Sequence, residues 1–277
     1  MRPAPGNAEL ALLLEVASTP TPGNVDRDRE YPDLRFEQFL AGAVGARSGF
    51  ALAAEGGPVG EAFERAVAGM SRQRGGNTQF GAVLLLVPLV AAAGRGDLTP
   101  EGASAVVEST TVEDAVEFYR AFEHVAVAVE DPPDGMGALD VRRGGDAAPA
   151  VRERDLSFAD VMRRSADRDG VAAEWTEGFR RTFRAAESIA AGSGPVTDRG
   201  AEVFLEMLAR ERDTLVVTQH DEETAKEVQE RARAALDGEE DVDALAEEFV
   251  DRGINPGTTA DTVAGGFFVA LEGGMEV

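Results

Sequence analysis

The stretch that most constrains the fold is residues 82–93, in which no side chain carries a charge or a hydrogen-bonding group. A helix over these residues would be apolar on every side, and helices of that kind lie in the middle of a protein. A polar, glycine-rich loop, residues 74–81, leads directly into it. Asn77 or Thr78 can cap the helix, while the glycines let backbone N–H groups approach a ligand. Taken alone, this pattern favours a capped core helix over a phosphate site.

Two further stretches have the same construction. Near the N-terminus, an apolar run, residues 10–16, is followed by a loop of Pro, Gly, Asn and Asp, residues 18–27. Near the C-terminus, the polar residues 255–261 open another nearly uncharged helix, residues 262–271. Because the ends of three buried helices can meet, the sequence predicts one pocket at the three loops.

The acidity of the chain limits its partners. Its formal net charge of −24 argues against a general binder of nucleic acid or of anionic membranes, because both need a basic face. Lys226 is the only lysine, and Asp and Glu are spread along the chain, a pattern that resembles proteins of salt-loving cells. We interpret the acidic residues as groups that keep the surface solvated, and not as a binding site.

Cysteine and histidine usage restricts the chemistry further. The chain has no cysteine and only two histidines, His124 and His220, so any metal would be a hard cation held by carboxylates. A reducing cytoplasm is compatible with this composition, and we expect the protein to be cytoplasmic. The apolar run at residues 82–93 is shorter than the roughly 20 residues that a membrane helix needs.

Almost all segments have helical periodicity, and the sequence predicts an all-α protein, a single multi-helix globular domain over residues 1–277 around buried apolar helices. Two of the longer predicted helices cover residues 111–129 and 171–190. Residues 215–218 are the only predicted strand, and a single strand builds no sheet. Residues near 131–150 are rich in Pro, Gly and Asp and predict a mobile loop.

Two local features leave alternatives open. Arg142 and Arg143 lie next to two glycines and could close over phosphates, or could only balance local charge. His124 is interpreted as structural, because no catalytic partner can be placed for it.

The motifs together resemble one family. Glu15 followed by the segment 19–26, then the segment 76–82, and then the segment 255–261 resemble the triphosphoribosyl-dephospho-coenzyme A synthase family in order and approximate spacing. In that family the signatures read Pro-Lys-Pro-Gly-x-Val-Asp, Asn-Thr-x-x-Gly before an apolar helix, and a Pro-Gly-Gly-Ser-Ala-Asp-like segment. The agreement spans nearly the whole chain.

The resemblance implies an all-α enzyme that removes adenine from ATP and joins the triphosphoribosyl unit to the ribose of dephospho-CoA. Carboxylates suit this chemistry, because they stabilise oxocarbenium-like charge and can take a proton from a hydroxyl group. A triphosphate also calls for Mg²⁺ on carboxylates. A sibling transferase with another acceptor and a non-catalytic nucleotide-binding protein stay open as alternatives, as does the oligomeric state.

Candidate site residues follow from the three motifs, from an acidic pair that resembles a family pattern and from the double arginine of the loop. The candidate catalytic carboxylates are Glu15, Asp26 and Asp261. The candidate nucleotide-binding residues are Pro22, Gly23, Asn24, Gly76, Asn77, Thr78, Gly81, Arg142, Arg143, Pro256, Gly257, Thr258 and Thr259. The candidate magnesium ligands are Asp26, Asp169, Glu174 and Asp261. Purely structural roles compete with these, such as a helix-dipole carboxylate for Asp261 and a helix cap for Asn77.

The chain also departs from the family pattern. Thr21 stands where the family has lysine, and Gln79-Phe80 stands where a His-Lys pair is common. Residues 27–33 replace a frequent Gly-Ala-His segment. These changes remove cationic and basic groups. The resemblance to the family therefore supports nucleotide binding more strongly than it supports dephospho-CoA as the acceptor.

Overall fold

The computed structural model describes residues 2–132 and 135–277, and these residues form fifteen α-helices and no β-strand. The all-α prediction is therefore confirmed. In chain order the helices are α1 (Ala4–Ala17), α2 (Phe36–Ala54), α3 (Val59–Met70), α4 (Phe80–Gly94), α5 (Pro100–Glu108), α6 (Val112–Ala121), α7 (Ala148–Glu153), α8 (Phe158–Ser165), α9 (Gly170–Thr176), α10 (Arg180–Ala191), α11 (Val196–Arg210), α12 (Thr214–Gln219), α13 (Glu222–Leu236), α14 (Val242–Asp251) and α15 (Gly257–Glu272).

Helix α4 lies at the centre, as its uncharged sequence predicts. It packs against α1, α2, α3, α5, α9 and α15. Leu85, Leu86 and Val87 have no solvent exposure, and each contributes about 1.5–3 kcal/mol of burial free energy. Among the described residues, no helix is both long enough and apolar enough to cross a membrane.

A proline inside α4 creates a specific contact with α9. Pro88 has no N–H, so the carbonyl of Leu84, four residues earlier, lacks its usual helical donor. The indole N–H of the buried Trp175 donates to that carbonyl at 3.1 Å. This contact fixes α9 beside the N-terminal half of α4.

Two helices pack on each other at almost backbone contact. Gly45 of α2 faces Gly69 of α3, and a methyl group at Gly45 would lie 2.2 Å from the carbonyl oxygen of Gly69. Only glycine permits this approach, which brings α2 and α3 close together beside α4.

The structure corrects the predicted strand. Residues 215–218 lie in helix α12, because the carboxylate of Asp213 accepts hydrogen bonds from the N–H groups of Leu215 and Val216 and caps the helix. The cap and the burial of Val216 outweigh the preference of β-branched residues for strands.

Two predicted helices are also shorter than expected. The predicted helix 171–190 is two helices, α9 and α10, because Gly178 and Phe179 adopt positive φ angles of 69° and 57°. The predicted helix 111–129 ends at Ala121 with α6; a turn follows, and residues 126–132 belong to no helix or strand.

The predicted loop near 131–150 contains more regular structure than expected. It carries two short 3₁₀ segments, Gly137–Leu139 and Val141–Ala147, and the start of α7. Residues 133 and 134 of this stretch lie outside the described residues. The mobility of the loop stays a prediction.

Candidate active site

The starts of α4 and α15 meet at one point. Asp261, in the second turn of α15, lies against Gly81 in the first turn of α4, and a methyl group at Gly81 would lie 1.9 Å from Asp261 Oδ2. The backbone N–H of Ala82 lies near enough to the Asp261 carboxylate to stabilise its charged form. The second and third sequence motifs are therefore adjacent in space.

The start of α9 joins the same cluster. The hydroxyl groups of Thr214 and Thr258 lie 3.0 Å apart, and Thr214 also accepts a hydrogen bond from the Gly170 N–H at 3.0 Å. A methyl group at Gly170 would lie 2.7 Å from Thr258 Cγ2. Helices α9, α12 and α15 thus contact one another around Thr258.

A cavity of about 550 Å³ opens at this cluster, a size typical of small-molecule sites. We call it the central cavity. Its polar wall is built from the helix starts and from the N-terminal loop, and consists of Asn24, Asn77, Thr78, Asp169, Asn255, Thr258 and Asp261. Its apolar wall comes mainly from α6, α8 and the chain between α6 and α7, and includes Phe118, Tyr119, Phe122, Met136, Leu139, Leu156, Val161 and Met162.

Asp261 is the carboxylate at the centre of the polar wall. Burial raises its pKa well above the usual aspartate range, and the negative charges of Glu15 and Asp213 raise it further. The N–H group of Ala82 acts in the opposite direction, because it stabilises the charged form. A carboxyl group with a raised pKa can exchange a proton nearer to neutral pH, as general acid–base catalysis requires.

Asp169 is the second carboxylate of the polar wall. It caps α9 by accepting a hydrogen bond from the Ala172 N–H at 2.8 Å, and its side chain is exposed to the cavity. Desolvation is the main influence on its pKa, which lies above the usual aspartate value.

Glu15 lies behind the wall and contacts it through one residue. Its Oε1 accepts a hydrogen bond of 2.8 Å from Nδ2 of Asn24, which lines the cavity. Burial raises the pKa of Glu15 to about 8. Glu15 therefore positions Asn24, and the structure does not place its own carboxyl group on the cavity wall.

Asp26 organises the N-terminal loop. Its carboxylate accepts hydrogen bonds from the backbone N–H groups of Thr21, Asp28 and Arg29, and from the Thr19 hydroxyl group. It is buried and lies outside the cavity wall. Because its acceptor positions are occupied by the loop itself, its geometry is that of a loop-forming residue.

Two other buried carboxylates connect helices. Glu174 accepts hydrogen bonds from the N–H groups of Arg181 and Thr182, and so joins α9 to the start of α10. Asp213 accepts from the N–H and the hydroxyl group of Thr259 at 2.7 and 2.8 Å, and so joins α12 to α15. Neither carboxylate lies on the cavity wall.

The remaining predicted residues divide into two groups. Those on the cavity wall are Asn24, Asn77, Thr78, Gly81, Gly257 and Thr258. Those in the motifs but behind the wall are Pro22, Gly23, Gly76, Pro256 and Thr259. The double arginine is also off the wall: Arg142 pairs with Asp140 and Asp131, each at 2.8 Å, and Arg143 is exposed.

Sequence reasoning missed the two arginines that do line the cavity. Arg168 lies 3.6 Å from Glu130 and 3.7 Å from Asp167, whereas Arg164 has no acidic partner within 4.0 Å among the described residues. The available signal was helical spacing, because Val161 and Arg164 lie three residues apart on α8 and share its cavity-facing side.

The cavity also has a wall outside the helices that sequence reasoning missed. Residues 126–132 all line it, although this stretch was predicted to continue a helix and then a loop. The alternation Val-Ala-Val-Ala-Val at residues 125–129 has the period of two that is typical of extended chain. Within the described part of the chain, no group of three or more His, Cys, Asp or Glu side chains has the arrangement of a metal site.

Comparison with known proteins identifies the family. The sequence profile of the family described as "ATP:dephospho-CoA triphosphoribosyl transferase" matches residues 3–276. A crystal structure of a protein described as a triphosphoribosyl-dephospho-CoA synthase, from Archaeoglobus fulgidus, superposes with a TM-score of 0.68 at 27% sequence identity. The match covers 85% of this chain and 99% of that protein. No protein with a curated description matches the chain significantly in sequence. The chain belongs to the ATP:dephospho-CoA triphosphoribosyl transferase family and is an enzyme of the transferase class.

Proposed function

We propose that the central cavity is the active site, and that it binds ATP and the ribose of dephospho-CoA beside Asp261. The observation that carries this proposal is the position of Asp261, whose carboxylate lies at the meeting point of α4 and α15 on the wall of the cavity. The transferase family and the structural neighbour agree with such a reaction.

The reaction breaks one bond and forms one bond. The bond between C1′ of the ATP ribose and N9 of adenine breaks, and C1′ joins a hydroxyl oxygen of the acceptor ribose. The hydroxyl group loses a proton and the departing adenine gains one, so charges balance. Asp261 can stabilise the positive charge that develops at C1′, and its raised pKa suits it to take up the hydroxyl proton.

The triphosphate has suitable partners near the same carboxylate. The N-termini of α4 and α15 present backbone N–H groups and partial positive charge, which favour phosphate groups. Asn77 and Thr78 add polar side chains on the wall, and Arg164 adds a guanidinium group.

The residues present also suit a magnesium ion that arrives with the nucleotide. Mg²⁺ in nucleotide sites is commonly held by one or two carboxylates and by the phosphates. Asp169 and Asp261 are the carboxylates of the polar wall, and Asp169 is close enough to raise the pKa of Asp261. A bound Mg²⁺ would neutralise triphosphate charge. Asp26 and Glu174 are less suited, because their carboxylates are occupied within the protein.

The composition of the chain indicates the conditions under which the enzyme works. The high acidity of the chain and its single lysine fit a cytoplasm of high salt content, and we propose that the enzyme works there. Its partners would be small-molecule nucleotides.

One experiment tests the proposed reaction. The purified protein is incubated with ATP and Mg²⁺ in concentrated KCl, with and without dephospho-CoA, and free adenine and the mass of the acceptor are measured. The expected result is adenine release that depends on dephospho-CoA, together with a triphosphoribosyl adduct. We expect Asp261→Asn to abolish both, whereas Asp251→Asn on the exposed face of α14 retains them. Adenine release by Asp261→Asn at the wild-type rate would contradict the role of Asp261.

One observation favours a second candidate, a sibling transferase with another acceptor. The lysine and the His-Lys pair of the family are Thr21 and Gln79-Phe80 here, and Arg164 and Arg168 are the only arginine or lysine residues on the described cavity wall. Adenine release that requires a hydroxylated acceptor other than dephospho-CoA would identify this alternative.

A further inference from the structure

The chain between α6 and α7 begins with a segment that belongs to no helix or strand and whose burial alternates from residue to residue, as it does in a strand. We call residues 126–131 the edge segment. Burial alternates along it: Val127 and Val129 are half-buried, while Ala126, Ala128 and Glu130 are exposed. All of its residues line the central cavity.

The backbone of the edge segment has no hydrogen-bond partner in the part of the chain that the structure describes. Among the described residues, no backbone or side-chain group forms a hydrogen bond with its N–H or C=O groups. Unpaired backbone groups are strong hydrogen-bonding sites, and proteins use such free edges to bind extended chains as an added strand. A ligand that presents amide groups in an extended form would satisfy them.

The surroundings of the edge segment indicate what kind of chain fits. The apolar wall supplies Met136, Leu139 and Met162, which suit methyl and methylene groups. Arg168 pairs with Glu130 at the end of the segment, so a cation lies where the edge segment approaches the polar part of the cavity. This arrangement fits a ligand that has an amide-bearing arm at one end, beside the edge segment, and a diphosphate at the other end, near Arg168.

We infer that the edge segment binds the pantetheine arm of the acceptor by strand-like backbone hydrogen bonds. Pantetheine is an extended chain with secondary amides and a pair of methyl groups, and in dephospho-CoA it is attached to a diphosphate. This inference rests on the proposed function for the identity of the acceptor. It adds that recognition of the arm comes from main-chain atoms of this chain, beside an apolar wall.

The test compares ligands with and without the arm. Equilibrium binding of dephospho-CoA, ADP and ATP is measured by calorimetry on the full-length protein. Ala128→Pro and Val129→Pro each remove one N–H group, and adjacent residues of an extended chain point their N–H groups to opposite edges. We expect one of the two variants to weaken dephospho-CoA binding roughly tenfold, since it loses hydrogen bonds and fit, while ADP and ATP binding is unchanged.

A proline outside the cavity serves as the control. Ser193 is exposed in the loop between α10 and α11, and its N–H forms no backbone hydrogen bond with any described residue. Ser193→Pro should therefore leave all three affinities unchanged. Equal binding of ADP and dephospho-CoA by the wild-type protein would overturn the inference. So would proline variants that leave dephospho-CoA binding intact, or that weaken ADP binding to the same degree.

A measurement on the wild-type protein keeps the inference testable if a proline variant does not fold. Amide hydrogen exchange of residues 126–131 should slow when dephospho-CoA binds and should not slow with ADP. Unchanged exchange with both ligands would overturn the inference. Adenine release is assayed separately, so binding through the edge segment without turnover would contradict the proposed reaction and retain the inference.

Discussion

The carboxylate of Asp261 lies so close to Gly81 that a methyl group on Gly81 would be 1.9 Å from Oδ2. The alanine side chain cannot fit without displacing Asp261 or the start of α4. We therefore expect Gly81→Ala to reduce kcat at least tenfold, because Asp261 would move from its place at the cavity wall.

A matched glycine controls for this effect. Among the described residues, and apart from its two chain neighbours, no atom lies within 4 Å of a methyl group placed on Gly137, so Gly137→Ala should retain activity. Steady-state adenine release and thermal unfolding are measured for both variants. Full activity of Gly81→Ala would show that the position of Asp261 is not critical.

The hydrogen bond from Trp175 to the Leu84 carbonyl, which Pro88 leaves without a helical donor, allows a double-mutant cycle. Trp175→Phe removes the donor to the Leu84 carbonyl, which Pro88 cannot supply. We expect a loss of about 1–3 kcal/mol in the free energy of unfolding, because a buried carbonyl becomes unsatisfied and some packing is lost. In a Pro88→Ala background the alanine N–H can pair with that carbonyl, so the loss on Trp175→Phe should be smaller. Urea unfolding measures each term, and an equal loss in both backgrounds would contradict the coupling.

Glu15 should make stability depend on pH. Its folded-state pKa is raised from 4.5 to about 8, so the folded protein holds this proton more tightly than the unfolded chain. The stabilisation is present in full below the unfolded-state value and is lost as pH rises from about 4.5 to about 8. Glu15→Gln, which cannot ionise, should flatten that decline by an amount on the order of a few kcal/mol.

Unfolding in urea across this pH range tests the effect at constant ionic strength. Glu153→Gln is a suitable control, because Glu153 is exposed at the end of α7. A steeper decline in Glu15→Gln than in the wild type would contradict the direction of the shift.

Arg164 should contribute more to phosphate binding than the double arginine of the sequence analysis. Arg164 lines the cavity and has no acidic partner among the described residues, whereas Arg142 is not part of the wall and its guanidinium group is paired with Asp140 and Asp131. We expect Arg164→Gln to raise the KM for ATP or for dephospho-CoA roughly tenfold, since it removes a charge-assisted hydrogen bond. Arg142→Gln should change either KM by less than about threefold. A larger increase in KM for Arg142→Gln than for Arg164→Gln would show that the double arginine binds the phosphates.

The fold class could be predicted because its causes are local. The uncharged run of α4 has to be buried in any fold. Capping residues such as Thr99, Thr111 and Ser157 directly precede the helices that they cap. Each of these three side chains accepts a hydrogen bond from the backbone N–H three residues later. The strand predicted at residues 215–218 was wrong, because β-branched composition was weighed without the cap that Asp213 supplies.

The candidate site could be predicted only in outline. Motif order pointed to Asn77, Thr258 and Asp261, and these residues do share one cavity wall. Motif order could not separate a carboxylate that faces the cavity from one that holds its own loop together. Asp26 has the same side chain as Asp261, and only the hydrogen bonds of the folded loop show that it is already occupied.

The sequence by itself determined that the protein is helical, that its centre is apolar, and which family it resembles. Composition, periodicity and motifs are all properties of the linear sequence. The tertiary structure alone decided which groups meet. Asp261 and Gly81 are far apart in sequence, and Arg164 and the edge segment come from stretches with no motif. Their arrangement depends on how the buried helices pack, and packing is a property of the whole chain.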